Sequence, residues 1–160
     1  MTLIEKFTEK DSEFRSIVDI YNMVSHDDKV HIDEEKEDWS NRDRSIVIER
    51  LLLYIDNKIV GFLRYSLGKK INKHKCFFNI FIDPKFNNQG FRQLLYEKML
   101  DNIKLFNCDA LYMEIYDHVN YKDAKSFLIR NGFVNKFKIR EFSLELDSLD
   151  LDKYSILFKK

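Results

Sequence analysis

Ile80-Phe81-Ile82-Asp83-Pro84-Lys85-Phe86-Asn87-Asn88-Gln89-Gly90-Phe91-Arg92 reads as a strand that halts at a proline, crosses a turn and opens into a helix. Pro84 cannot donate to a ladder, so the apolar run stops there, and Gly90 supplies a backbone free to take positive φ. The stripe Phe91, Leu94, Leu95, Met99, Ile103 and Phe106 predicts a helix from about Arg92 to Phe106. The first N–H groups of a helix lack intrahelical acceptors, and the helix dipole adds positive potential at the same end. The turn is therefore a candidate anion site, suited to phosphate. A single glycine before a helix is also common in ordinary connections, and a plain structural role stays open on this feature alone.

Outward from this stretch the periodicity gives the other elements. Leu3–Phe7 predicts a strand. Phe14, Ile17, Val18, Tyr21 and Val24 lie at helical spacing, with Thr8 or Asp11 as cap. Residues 31–43 predict a short acidic helix anchored by Trp39. Ile46–Ile55 and Ile59–Ser66 are strands joined through Asp56-Asn57-Lys58, a hairpin turn. Cys76–Ile82 is a further strand, reached through the basic loop Lys69–Lys75. Leu111–Asp117 predicts a strand, Lys122–Asn131 a helix stopped by Asn131-Gly132, and Lys138–Leu146 a last strand. The order β-α-α-β-β-β-α-β-α-β implies an α/β fold: a mixed, mostly antiparallel twisted sheet with helices on both faces. One domain is expected over residues 1–146, with 147–160 a tail or linker.

Composition narrows the function classes. Among 160 residues, 27 Lys+Arg balance 27 Asp+Glu, which removes the simplest argument for nucleic-acid binding. With 44% apolar residues the chain is not of disordered type. Its longest apolar runs, such as Leu51–Ile55, fall far short of the ~20 residues of a membrane helix. Acidic residues follow closely on Met1, where a signal peptide would need an apolar stretch. A cytoplasmic protein is the expectation. Cys76 and Cys108 form neither a disulfide framework nor a metal-ligand spacing, and are read as packing residues; no metal is expected.

The segment from Ile80 to Arg92 resembles the acetyl-CoA-binding motif of the GNAT N-acetyltransferase superfamily: an apolar strand, a proline, then Arg/Gln-x-x-Gly-x-Gly/Ala and a helix. Ile82-Asp83-Pro84 matches the strand end, Phe86 the aromatic position, Gly90 the central glycine and Leu94-Leu95 the apolar start of the helix. Downstream, Ala124-Lys-Ser-Phe-Leu-Ile-Arg-Asn-Gly132-Phe133 resembles the second signature of that family, a helix led by alanine and ending in Gly-Phe. The resemblance implies acetyl-CoA as cosubstrate and direct attack by an amine acceptor. It implies pantetheine contacts from the backbones of Ile80 and Ile82, and a pyrophosphate cradle formed by Asn87, Asn88, Gln89, Gly90, Phe91 and Arg92. Three positions depart from the pattern. Asn87 stands where the family has Arg or Gln, and Arg92 where it has a small residue. Arg92 would either crowd the pyrophosphate or swing outward to pair with a phosphate. Leu128 occupies the place of a proton-donating tyrosine and has no proton to give.

The stretch 111–118 alternates, with Leu111, Met113 and Ile115 on one face and Tyr112, Glu114, Tyr116 and His118 on the other. Glu114 or His118 is a candidate general base, and Tyr116 or Tyr112 a candidate proton donor. The alternative is plain packing for the tyrosines and an ion pair for Glu114. The loop Lys69–Lys75 would steer an anionic ligand, and the acidic stretch Asp33–Asp38 an amine, unless both are simply solvated. Residues 146–160 carry apolar side chains suited to a homodimer contact or to a bridge into a second acetyltransferase-like half, as in tandem members of the family. Alongside the enzyme stands a second reading, a catalytically degenerate acetyltransferase-like module that binds CoA or a protein partner.

Overall fold

The computed structural model describes residues 1–25, 29–68, 75–115 and 121–136. In chain order the elements are β1 (Thr2–Lys6), α1 (Asp11–Val24), α2 (Ile32–Ser40), β2 (Ile48–Ile55), β3 (Lys58–Leu67), β4 (Lys75–Ile82), α3 (Phe91–Ile103), β5 (Ala110–Tyr112) and α4 (Lys122–Arg130). The expected strand Lys138–Leu146 lies outside the described residues, as do the basic residues 69–74 and the tail.

The strands form one sheet in the order β1-β2-β3-β4-β5, antiparallel except for the parallel pair β4–β5. The β2–β3 hairpin turns on Asp56 and Asn57, both at positive φ (47° and 64°), as a tight two-residue connection requires. Alternation divides the sheet between two cores. Leu51, Leu53, Leu63, Phe78 and Ile80 face Leu95, Met99 and Ile103 of α3 and Phe127 and Leu128 of α4. Leu52, Phe62 and Phe81 face Ile17 and Ile20 of α1. The sheet thus carries helices on both faces, because β2, β3 and β4 have apolar residues on each side.

Local details differ from the periodic reading. Neither Thr8 nor Asp11 is the N-cap of α1; Lys10 is, and the helix start is held by Glu13. The Glu13 carboxylate accepts from the Thr8 N–H and hydroxyl (2.7 Å each) and from the Lys10 N–H (3.4 Å). In α3 the buried stripe is Leu95, Tyr96, Met99 and Ile103, whereas Leu94 and Phe106 are exposed. The acidic helix α2 is not merely solvated: Glu35 forms a buried ion pair with Arg50 of β2, whose guanidinium also lies over Trp39 and Phe7. The Trp39 indole N–H donates to Glu9 (2.8 Å), fixing α2 to the chain that leaves β1.

Candidate active site

The turn between β4 and α3 is built from its own backbone. Asp83 accepts from the Lys85 N–H (3.0 Å), opening a single 3-10 turn over Pro84–Phe86. Asn88 and Gly90 then take positive φ (63° and 82°), and Gly90 is the N-cap of α3. The N–H groups of Gln93 and Leu94 donate to the Gly90 carbonyl (3.0 and 3.2 Å). Those of Asn88, Gln89, Gly90, Phe91 and Arg92 have no acceptor among the described residues. Free donors at a helix N-terminus form an anion-binding concavity. It opens into a cavity of about 320 Å³ reached by Ile82, Gly90, Phe91, Asp123 and Arg130, and a second of about 450 Å³ adds Lys122 and Ser126. Lys122 and Arg130 thus bring positive charge to the same hollow.

The hollow continues along β4. The Asp83 N–H donates to Val60 of β3 (2.9 Å), so alternation turns the backbone groups of Ile82 and Ile80 toward the opposite edge. On that edge, among the described residues, β5 pairs with β4 at Lys75–Ala110, Cys76–Leu111 and Phe77–Tyr112 and no further. Beyond Tyr112 the two segments part. Asn79 spans the gap with its side-chain amide, donating to the Glu114 carbonyl (3.1 Å). An open strand edge leading into free N–H groups suits an extended amide chain that ends in phosphate.

Arg92 neither projects outward nor sits at the rim. Its guanidinium folds inward, donating through Nη1 to the Ile80 carbonyl (2.7 Å) and through Nε to Oδ2 of Asp123 (3.1 Å), with Nη2 in ion-pair contact with the same oxygen (3.1 Å). Burial pushes this guanidinium below the ordinary arginine value, and Asp123 beside it pulls the other way. Asp123 was not singled out in the sequence. It reads there only as an acid in the first turn of α4, and nothing local marks its partner 31 residues away.

The sequence profile of the Acetyltransferase (GNAT) family matches residues 12–133, most of the chain and all of the cleft. The chain belongs to the GNAT acetyltransferase family. No curated protein sequence matches it. Solved GNAT-like structures share its fold at low identity. An acetyltransferase from Trypanosoma brucei superposes with a TM-score of 0.68 at 13% identity, covering 90% of this chain and 100% of that one. The ribosomal-protein-S18-alanine N-acetyltransferase of Escherichia coli gives 0.67 at 18% identity, covering 92% and 86%. An aminoglycoside 6'-N-acetyltransferase of Acinetobacter haemolyticus gives 0.66 at 17% identity, covering 91% and 99%. None of these likenesses supports the tandem arrangement suggested by residues 146–160.

Ile80, Ile82, Asn87, Asn88, Gln89, Gly90, Phe91 and Arg92 therefore lie along one continuous path, the first two on the strand edge and the rest in the turn and first turn of α3. The Asn87 side-chain oxygen is buried there with no hydrogen-bond partner in the described structure. Of the acid–base candidates, Glu114 lies just past β5 and is exposed, while Tyr116 and His118 fall outside the described residues. The alternation holds as far as Ile115: Leu111, Met113 and Ile115 pack on the core shared with α3 and α4, and Tyr112 stacks on Phe77 across β4 (5.3 Å between ring centres). Leu128 is buried in that same core. Cys76 is wholly buried, and burial, with Cys108 a smaller influence, pushes its thiol up to about 12, so it is no nucleophile at neutral pH. Among the described residues no helix is long and apolar enough to cross a membrane.

Proposed function

We propose that this GNAT-family protein transfers an acetyl group from acetyl-CoA to the amine of a small molecule or peptide by direct attack. The observation that carries this reading is the junction of two backbone features without backbone partners among the described residues, the edge of β4 at Ile80 and Ile82 and the five N–H groups from Asn88 to Arg92. Acetyl-CoA supplies the activated thioester. The turn residues bind its pyrophosphate, with Lys122 and Arg130 adding countercharge. The edge at Ile80 and Ile82 orients the pantetheine arm toward the place where β4 and β5 part.

At that place the ammonium gives one proton to the base, the freed amine nitrogen bonds to the carbonyl carbon, and the C–S bond breaks. The thiolate takes a proton from the acid, which is replaced by the second proton shed from the nitrogen. Glu114, at the mouth of the gap, is the proposed base, with His118 as the other candidate on the same stretch. Tyr116, or Tyr112 on the face shared with Glu114, is the proposed acid, since Leu128 cannot serve. Isothermal titration of the cofactor-free protein with acetyl-CoA and with CoA tests the binding half, and thiol release over an amine panel tests the transfer. Micromolar binding is expected; no binding at millimolar ligand would remove the reading.

A second reading is favoured by one observation. Arg92 and Asp123 fill part of the groove with a buried ion pair, as a catalytically degenerate acetyltransferase-like module would tolerate. Such a module would bind CoA weakly and release no thiol with any amine.

A further inference from the structure

The free edge of β4 offers two residues, Ile80 and Ile82, whose backbone groups point into the cleft. One of those acceptors is already used. The Ile80 carbonyl takes a 2.7 Å bond from Arg92 Nη1, shorter than an ordinary amide hydrogen bond and charge-assisted. Arg92 is held in that pose from the other side by Asp123, and their side chains are only 11% and 19% exposed. Asp123 cannot follow an outward swing of Arg92, because Ala124 and Phe127 of the same helix are buried against the sheet. The two residues line both hollows of the site, so the pair lies in the cleft rather than behind it.

We propose that Arg92 and the pantetheine arm of an acyl-CoA compete for the Ile80 carbonyl, so that the Arg92–Asp123 pair sets the affinity of the cleft for its cosubstrate. The proposal rests on reading this cleft as an acyl-CoA groove. The guanidinium occupies the approach to the Ile80 carbonyl from the cleft, and an amide N–H gains that approach when the guanidinium withdraws. Withdrawal breaks a charge-assisted bond and leaves the Asp123 carboxylate largely buried without its partner, an unfavourable state. The displaced Arg92 has one compensating position, at the rim beside the free N–H groups, where it would meet the pyrophosphate. That rim contact returns to the nucleotide end only part of what the pantetheine arm loses, because Asp123 stays behind, largely buried and unpaired. A residue without a guanidinium at this position would leave the acceptor open.

The test uses three ligands that separate these ends: CoA, pantetheine, which lacks the phosphates, and ADP, which lacks the arm. Each is titrated calorimetrically into the wild-type protein and into Arg92→Ala/Asp123→Asn, which removes both charges and leaves neither buried alone. Loss of the competing bond is expected to tighten pantetheine and CoA roughly tenfold or more, on the scale of one hydrogen bond to a charged group. ADP is expected to bind equally or more weakly. Asp123→Asn alone, which loosens the tether and changes only one side chain, is expected to shift pantetheine the same way by a smaller factor. It serves as the readout where circular dichroism shows the double variant unfolded. Unchanged or weaker pantetheine and CoA binding in a folded variant would overturn the competition while leaving the acyl-CoA reading standing. If CoA binds neither protein, the acyl-CoA reading itself falls, and the competition with it.

Discussion

Gly90→Ala separates what the turn does for the fold from what it does for a ligand. Gly90 sits at φ 82° and ψ −4°, in the left-handed region. A β-carbon there raises the conformational energy by about 1–2 kcal/mol. The alanine has fewer unfolded conformations to lose, which returns about 0.4–1 kcal/mol. No steric term is added, because a Cβ at this position meets nothing within 4 Å. The net loss is about 1 kcal/mol, or roughly 2–4 °C in midpoint for a domain of this size. Urea unfolding followed by circular dichroism reads that number. CoA affinity should fall further, by roughly tenfold or more, because alanine strains the positive φ at position 90 that leaves the N–H groups from Asn88 to Arg92 free for a phosphate. Calorimetric titration of the folded variant measures this second effect. Two results would refute the reasoning: a stability loss beyond about 3 kcal/mol, which would mean a packed glycine, or CoA binding unchanged within about twofold, which would place the phosphates elsewhere.

Other perturbations probe the remaining parts. Glu114→Gln should lower turnover by roughly 100-fold at neutral pH while leaving acetyl-CoA binding unaltered, as expected for a lost general base; unchanged turnover would release Glu114 from that role. Glu35→Ala should destabilise the fold by about 2–3 kcal/mol in urea melts, because Arg50, 8% exposed, would keep its charge without its carboxylate and only its aromatic neighbours would offset the loss. The Cys76 thiol has an ordinary value of 9.0 and is pushed up to about 12 by burial, so the folded state holds its proton where the unfolded chain releases it. That contribution is complete below pH 9 and is lost as pH rises toward 12, so the urea midpoint should fall over this range and Cys76→Val should flatten the first part of the decline. Tyr65 is raised chiefly by burial, with Glu49 acting in the same direction, and keeps the later part of the decline in that variant.

What the sequence makes legible is what short-range geometry dictates. Asp56-Asn57 announces its hairpin because few residues accept consecutive positive φ angles. Pro84 and Gly90 announce the strand end and helix start for similar backbone reasons, and they bring the proposed cofactor path into view as one segment. Side-chain partnerships across the sheet are not encoded locally. Nothing near Glu35 in the chain distinguishes it from Glu34 or Glu37, yet only the packing of α2 against β2 brings it to Arg50. The helical stripe assigned Leu94 to the core, but the direction of α3 across the sheet buries Tyr96 instead. Asn79 looks like an interruption in an apolar strand until β5 parts from β4 and gives its amide the Glu114 carbonyl.

The same distinction bears on how departures from a family motif are weighed. Under the proposed reading, phosphate recognition at this turn is a property of the backbone: among the described residues the N–H groups of residues 88–92 have no acceptor because the chain turns at Asn88 and Gly90, whatever side chain stands at position 87. Asn87 in place of Arg or Gln therefore removes one contact and leaves the cradle. Arg92 differs in kind, since its side chain reaches back onto the strand edge proposed to hold the rest of the ligand. A substitution that subtracts a contact weakens a site in proportion to that contact. One that supplies an internal competitor weakens it by whatever the competitor gains, here a hydrogen bond and an ion pair together. Of the two departures in this turn, Arg92 is the one whose reversal should tighten binding.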